Sequence, residues 1–387
     1  MFPQRWLPHW SNSLFLLSVF LGGFFCNRSF SQDPSSQDAR TRSDKQGRIV
    51  GLTYLGQGGL RQSAPKDVSS LTNVDISYGT TLTRDDIEFL ASLQNIEELS
   101  FGGNLDDEYV AIEGDLSPLG KLKRLESVFL CKRNMHDRDL EFLRELPNLK
   151  ALELLAGPNP FHENGSSVSV TDACAESIGQ AKNLRWLEIY NGDKLSDRFI
   201  EGISQQLEEL EHLHLGSDNL TDRSLQLLAK QCGNLKSIDL YSKQFTDQGV
   251  VFLASAKQLQ KVWLECPLLT NESVSVLTEL KDLRHLMITA PTVTNEVIEK
   301  VAKLPELQIL CLRNTPLSDE QFAMFANHPK LESIFANGRN LTTESVLQVI
   351  ATMPRLEHMT LAEAKATQDS VNRFLAARKS ASDKSDK

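Results

Sequence analysis

The segment LKSIDLYSKQFTDQGVVFLASAKQ, residues 235–258, decides the fold. It opens with the pattern L-x-x-L-x-L, in which Leu235, Ile238 and Leu240 alternate like a short strand with one buried face. The pattern returns about every 24 or 25 residues over much of the chain. Its first positions are Leu71, Ile96, Leu125, Leu149, Leu184, Leu210, Leu235, Leu259, Leu283, Leu307, Leu331 and Leu356, and a degenerate copy begins at Ile49. Composition alone does not produce such spacing, so the chain is a repeat protein.

The second half of each copy predicts a helix. A hydroxyl residue and an acid follow an apolar residue at 220–222, 245–247 and 317–319. The hydroxyl can accept a hydrogen bond from a free backbone N–H at a helix start, and the acid there favours the helix dipole. Apolar residues at helical spacing follow, as Leu225 and Leu228 show.

A strand and a helix in so few residues cannot bury an apolar face alone, but stacked copies can. The prediction is therefore an α/β solenoid with a concave parallel sheet, outer helices and about 12–13 repeats over residues 49–375. Residues 32–48 and 376–387 are polar and lack periodicity, so we expect a disordered linker and a disordered tail there.

The N-terminus, residues 1–31, predicts a signal peptide. Arg5 precedes an apolar run at Leu14–Phe25, and Ser29 and Ser31 are small residues suited to cleavage before Gln32. The run is shorter than the roughly 20 residues that span a bilayer. We expect a secreted, periplasmic or cell-surface protein with no membrane span after cleavage; an uncleaved anchor is the alternative.

These repeats resemble the cysteine-containing, ribonuclease-inhibitor-like branch of the leucine-rich-repeat superfamily. The similarity rests on the L-T-D-x-x-L helix starts and on the segment LLAKQCGNL at residues 227–235. That branch occurs in substrate-binding arms of F-box proteins and in exported bacterial proteins, and the resemblance implies a horseshoe fold that binds partners. The helix-end cysteine occurs in one copy only, and a signal peptide and linker leave no room for an F-box domain. The match is therefore best with exported bacterial members, and an F-box-like adaptor is disfavoured.

The net charge is −10, and removal of residues 1–31 with Arg5 and Arg28 makes it −12. Such a body repels phosphate backbones, so nucleic acid is a poor partner. A basic ligand fits this charge better, and a solvated acidic surface without a partner is the alternative.

The concave face carries the candidate binding site, because residues between and beside the buried leucines point there. Aromatic, histidine and methionine residues with interleaved acids lie on five adjacent predicted strands, a patch about 20 Å wide at 4.8 Å per strand. The patch comprises Trp186, Glu188, Tyr190, His212, His214, Asp239, Tyr241, Trp263, Glu265, His285 and Met287. Such a composition is typical of a protein- or peptide-binding hot spot, with cation–π and ion-pair contacts to a basic ligand. The alternatives are that the aromatic residues stiffen the solenoid, or that they stack on sugars in a carbohydrate-binding or enzyme-associated protein.

The sequence contains no catalytic constellation and no cofactor motif, and we expect neither an enzyme nor a metal site. His212 and His214 share one face, but His285 lies three strands away, too far for a third ligand. The cysteines after residue 31 should be buried and unpaired, except that Cys311 should face solvent. Insertions at 102–115 and 157–170 either frame the patch as recognition loops or are tolerated surface loops. Nothing in the sequence argues against a monomer.

Overall fold

The computed structural model describes residues 39–55, 59–77, 80–102, 110–132, 135–155, 170–290 and 293–385. The predicted signal peptide, residues 103–109 of the first insertion and residues 157–169 of the second lie outside these residues. From the first insertion, Ala111–Ile112 is described, and it pairs with Thr81–Leu82 in a small two-stranded sheet.

A sheet of 14 strands runs through the described residues, and its order follows the chain except for the two strands of the small sheet. After one antiparallel pair, Ala39–Ser43 with Ile49–Tyr54, every pairing is parallel and joins equivalent repeat positions. The strands are β1 Ala39–Ser43, β2 Ile49–Tyr54, β3 Asn73–Ile76, β4 Thr81–Leu82, β5 Glu98–Phe101, β6 Ala111–Ile112, β7 Ser127–Leu130, β8 Ala151–Leu155, β9 Trp186–Tyr190, β10 His212–Gly216, β11 Ser237–Tyr241, β12 Lys261–Glu265, β13 His285–Thr289, β14 Ile309–Pro316, β15 Ser333–Asn337 and β16 His358–Ala362. The predicted α/β solenoid and its number of repeats, including the copy at Ile49, are confirmed.

Each main-sheet strand from β3 to β15 is followed by a helical segment on one side of the sheet. The short strand β4 lies between β3 and its helix, and β6 lies between β5 and its helix. The α-helices are Leu60–Ser63, Arg84–Ser92, Cys174–Gly179, Asp197–Ser204, Asp222–Gln231, Asp247–Leu253, Asn271–Leu277, Asn295–Ala302, Asp319–Ala323, Thr343–Ala351 and Lys365–Ser385, with 3-10 helices at Ser117–Lys121 and Asp137–Glu145. The core fills the layer between helices and sheet. Leu235, Ile238 and Leu240 are at most 2% exposed there, and each such side chain contributes about 1.5–3 kcal/mol of burial.

The Thr-Asp pairs at the helix starts also join neighbouring repeats. Thr246 caps its own helix by accepting from the backbone N–H of Gln248. In addition, the carboxylate of Asp222, one repeat earlier, accepts from the backbone N–H and the hydroxyl of Thr246 at 2.8 and 2.6 Å. The same arrangement recurs as Asp137 with Thr171, Asp172 with Ser196, Asp197 with Thr221, Asp247 with Thr270 and Asp319 with Thr342. We call this series the Thr-Asp ladder.

The prediction of a disordered linker is wrong for residues 39–48. Ala39–Ser43 forms β1 and pairs antiparallel with β2, which covers the first edge of the parallel sheet. β1 is then the edge strand of the main sheet; it is short, carries Arg40 and Arg42 and has a register shift after Arg42, features that disfavour pairing with another chain. The polar sequence ARTRS gave no periodic signal for this strand.

The prediction of a disordered tail is wrong as far as Ser385, since the last helix, Lys365–Ser385, includes these residues. Val371, Phe374 and Leu375 pack on the core and anchor its first half. Arg378 then donates to the backbone carbonyl of Met353 at 2.8 Å, at the end of the preceding helix. These apolar contacts and Arg378 thus order a helix in which most residues are polar.

The side chain of Gln368 occupies the place of a further strand beside β16. Its Nε2 donates to the carbonyl of Met359 at 2.8 Å, and its Oε1 accepts from the backbone N–H of Leu361 at 2.5 Å. We expect Gln368→Leu to lower the free energy of unfolding by about 1–2 kcal/mol and to promote self-association through the exposed edge. Urea denaturation and light scattering would measure both effects. Gln348→Leu, on an exposed site of the previous helix, is the control; equal behaviour of the two variants would contradict this role.

Among the described residues, no helix has the length and apolar character needed to cross a membrane. The five cysteines there, Cys131, Cys174, Cys232, Cys266 and Cys311, are buried and unpaired. The expectation that Cys311 faces solvent is wrong. Its side chain is 4% exposed, and burial raises the pKa of its thiol to about 12.

Candidate functional site on the concave face

Strand register places the predicted patch on the sheet face opposite the helices, the concave face. The central position of each strand aligns with that of its neighbour. From β8 to β14 this column reads Glu153, Glu188, His214, Asp239, Trp263, Met287 and Cys311. Because side chains alternate along a strand, the positions two residues before and after point to the same face.

Glu188 is the centre of a hydrogen-bonded cluster on β9 and β10. Its Oε1 accepts from Nε1 of Trp186 at 2.9 Å and lies 3.1 Å from Nε2 of His212. Its Oε2 accepts from the hydroxyl of Tyr190 at 2.5 Å. Glu188 is 2% exposed, so both oxygens are bound where water has little access. Burial opposes ionisation and is the largest single effect, but the hydrogen bonds from His212 and Tyr190 and the charges of the two histidines together outweigh it, so the pKa of Glu188 is lowered.

Two ring contacts fix the aromatic side chains against the histidines. The Trp186 ring stacks on His212 with centroids 3.8 Å apart, and Tyr190 lies tilted on His214 at 4.6 Å. Nδ1 of His212 is also 2.9 Å from the hydroxyl of Ser237 on the next strand. Trp186 and Tyr190 remain half-buried, so each presents part of its ring to solvent in a fixed orientation.

Titratable groups on either side of this cluster extend it across four strands. Nδ1 of His214 lies 2.8 Å from a carboxylate oxygen of Asp239, and this contact raises the pKa of His214 despite its burial. On the other side, burial and the charge of Glu188 raise the pKa of Glu153 to about 8. Glu153 therefore keeps its proton at neutral pH. Across the four strands the row therefore consists of protonated Glu153, the Glu188 carboxylate, His214 and the Asp239 carboxylate.

The second half of the patch, on β11 to β13, is looser. Tyr241 and Trp263 are half-buried, and Glu265 accepts from the Arg313 guanidinium at 2.8 Å across β13. Met287 is 7% exposed, which leaves it little surface for a ligand. Its interpretation as a contact residue therefore loses its support, because its neighbours cover it.

The patch acids are already paired within the chain. Glu188 is bound by Trp186, Tyr190 and His212, Asp239 by His214, and Glu265 by Arg313. The sequence interpretation treated these acids as free to pair with a basic ligand. Internal pairing weakens the ion-pair part of that expectation, and the preference for a basic ligand stays a prediction.

His285 lies apart from the hydrogen-bonded cluster. It is in register with Lys261, and burial together with the charges of Lys261 and Arg284 lowers its pKa to about 4. Within the described residues, no group of three or more histidine, cysteine or acidic side chains is arranged to hold a metal ion.

Sequence reasoning did not place Glu153, Ser237 or Arg313 in the patch. Glu153 aligns with Glu188, Ser237 binds His212, and Arg313 reaches Glu265 across an intervening strand. The repeat register alone gives the first of these neighbours. The other two depend on side-chain reach and rotamer, which the register does not specify.

No protein-family model and no curated protein matches the chain. Solved structures do resemble it. A chain of the yeast Rad7–Elc1 complex is 17% identical with a TM-score of 0.50, over 75% of this chain and 69% of its own length. An internalin from Listeria monocytogenes is 19% identical with a TM-score of 0.47, over 76% and 75%. A leucine-rich-repeat protein from Leptospira interrogans is 17% identical with a TM-score of 0.45, over 76% and 73%.

Likeness at such identities concerns the fold alone, and the ribonuclease-inhibitor-like branch stays a resemblance seen in the sequence. The recurring L-x-x-L-x-L strands, the capped helices and the continuous parallel sheet nevertheless agree with one another and with this likeness. The chain therefore has the leucine-rich-repeat fold.

Proposed function

We propose that this chain is a non-enzymatic binding module that holds a protein or peptide partner on its concave face. The observation that carries the proposal is the cluster around Glu188. Three hydrogen bonds and two ring contacts fix Trp186 and Tyr190, and both rings stay partly exposed. Rigid, amphipathic rings lose little entropy on binding and are enriched at interface hot spots.

The proposed contact surface comprises the exposed parts of Trp186, Tyr190, Tyr241 and Trp263 on β9 to β12. A peptide that reaches from β9 to β12 crosses about 15 Å of sheet at 4.8 Å per strand. Buried Glu188 and His212 hold Trp186 and Tyr190 in place, and His214, paired with Asp239, contacts Tyr190. A basic partner would contact the exposed ring faces by cation–π interaction.

We further propose that the protein works outside the cytoplasm as a monomer. The support for export is the charged start and apolar run of residues 1–31. The support for a monomer is that the edge strand β1 is short and carries Arg40 and Arg42, while Gln368 binds the backbone of β16 at the other edge.

The patch is tested by partner capture with Trp186→Ala/Trp263→Ala. We expect this double variant to retain less than about one tenth of wild-type capture, because truncation of two hot-spot aromatic residues costs about 2 kcal/mol or more. The measurement is quantitative pull-down from the native source, followed by titration of the captured protein.

The matched control is Phe89→Ala/Phe252→Ala, which truncates two half-buried rings on the helical side. Circular dichroism of both variants shows whether they remain folded. Equal capture by wild type and the tryptophan variant would exclude this patch as the binding site. Capture of a soluble oligosaccharide instead of a protein would favour the carbohydrate-binding alternative.

A further inference from the structure

Two cations lie side by side near the start of β12 and β13 without a carboxylate partner. Lys261 begins β12, and Arg284 directly precedes β13. Among the described residues, neither side chain has an acid within ion-pair distance; their charges instead act on each other. Lys261 is half-buried, so solvent screens its charge less than that of a fully exposed lysine.

This arrangement differs from that of other cations in the equivalent row of the solenoid. Lys150 pairs with Glu126 at 2.8 Å, and Lys236 pairs with Glu211 at 2.7 Å. The equivalent residues beside Arg284 are the neutral Gln260 and Gln308, as the backbone bonds between these strands show. The charge of Arg284 helps to lower the pKa of Glu306. Glu306, however, is already paired with Lys330 at 2.6 Å.

Lys261 and Arg284 therefore create a positive potential at this place, next to the neutral ring of His285. Burial, and then the charge of Arg284, lowers the pKa of Lys261. His285, in register with Lys261, is held neutral at physiological pH by burial and by both cations. An anion placed between the three would offset this repulsion. The site lies on the same strands as Trp263, beside the proposed binding surface.

We propose that Lys261, Arg284 and His285 form a subsite for a carboxylate group of the bound partner. Arg284 offers a planar pair of donors, Lys261 a point charge, and neutral His285 one ring N–H. A carboxylate has two acceptor oxygens, which this donor set can satisfy. The proposal rests on the proposed function, since it assigns one charged group of the partner to one end of the same surface.

The test uses small carboxylate probes and does not require the partner. The full chain is titrated with N-acetylglycine, which imitates a peptide C-terminus, and with N-acetylglutamic acid α-amide, which imitates an acidic side chain; inorganic phosphate is the third probe. The readouts are the NMR signals and the pKa of His285. We expect a carboxylate probe to bind and to raise the pKa of His285 by about one unit, since a nearby negative charge favours the imidazolium. The tighter carboxylate probe identifies the source of the group.

The variant is Lys261→Gln/Arg284→Gln; at position 284 it copies Gln260 and Gln308, and at position 261 it keeps a polar side chain, so we expect the fold to be preserved. We expect it to weaken carboxylate binding at least roughly tenfold. The control, Lys150→Gln/Lys236→Gln, removes cations that already have partners and should leave binding unchanged. Binding of phosphate alone, no binding of either carboxylate, or equal binding by the variant would overturn the proposal. Because partner capture by the tryptophan variant is a separate measurement, failure here leaves the proposed function standing.

Discussion

Replacement of Glu188 with alanine is expected to lower the free energy of unfolding by about 2–4 kcal/mol. The change removes the acceptor of Trp186, Tyr190 and His212 together, and His212 is 6% exposed. Buried donors without an acceptor lose their hydrogen bonds to water and form no replacement within the protein. The midpoint of urea unfolding, followed by tryptophan fluorescence, measures the loss. Partner capture should fall as well, because the rings lose their fixed orientation.

The control for this prediction is Glu126→Ala. Glu126 pairs with Lys150 at the surface, so its loss should change the free energy of unfolding by at most about 0.5 kcal/mol. Glu188→Gln should lie between the two, because an amide keeps one acceptor oxygen but turns its NH2 group toward a donor. If Glu188→Ala lost no more free energy of unfolding than Glu126→Ala, the cluster would not order the patch.

Asp247→Ala should cost about 2–3 kcal/mol, because it breaks the Thr-Asp ladder. The carboxylate of Asp247 accepts from the backbone N–H and hydroxyl of Thr270 at 3.0 and 2.7 Å, and from the backbone N–H and hydroxyl of Ser273. These bonds join one helix start to the next repeat. Thermal and urea unfolding of the variant measure the effect.

Glu272→Ala separates the ladder from the helix dipole. Glu272 also lies in a first helical turn, but within the described residues its exposed carboxylate has no hydrogen-bond partner. Its removal should cost only about 0.3–1 kcal/mol. If both variants lost the same stability, the ladder would contribute nothing beyond the dipole.

The ladder also predicts a pH dependence. Burial opposes ionisation of Asp247, but the hydrogen bonds from Ser273 and Thr270 outweigh it, so its pKa is lowered. A lowered folded-state pKa gives stability above the unfolded value of about 3.9 that is lost as pH falls through the folded value. The stability difference between wild type and Asp247→Ala should therefore shrink in acid. A constant difference from pH 7 to pH 2 would contradict the ladder's ionic character.

The repeat pattern predicted the solenoid because buried leucines recur at fixed positions, and Leu235, Ile238 and Leu240 are buried as expected. It did not predict β1 or the end of the last helix. The first depends on main-chain pairing of a polar segment, and the second on a few anchors such as Phe374 and Arg378. Neither leaves a periodic signal.

The sequence predicted on which face of the sheet the patch residues lie. It did not predict the contacts between their side chains. Alternation placed Trp186, Glu188 and His214 together, and the strand register agrees. The sequence did not show that Glu188 would be buried beneath two rings, nor that Met287 and Cys311 would be covered. Burial on a sheet face depends on the sizes of neighbouring side chains, which single positions do not reveal.

The central claim, that a partner binds the concave face, is tested most directly by site-specific photo-crosslinking. p-Benzoylphenylalanine is placed at Tyr241, half-buried on β11 of the concave face, or at Phe252 on the helix Asp247–Leu253. The two positions belong to one repeat, but Tyr241 lies on the concave face and Phe252 on the helical side. We predict a covalent partner adduct from position 241 and none from position 252. An adduct from position 252 alone would place the partner on the helical side and contradict the account.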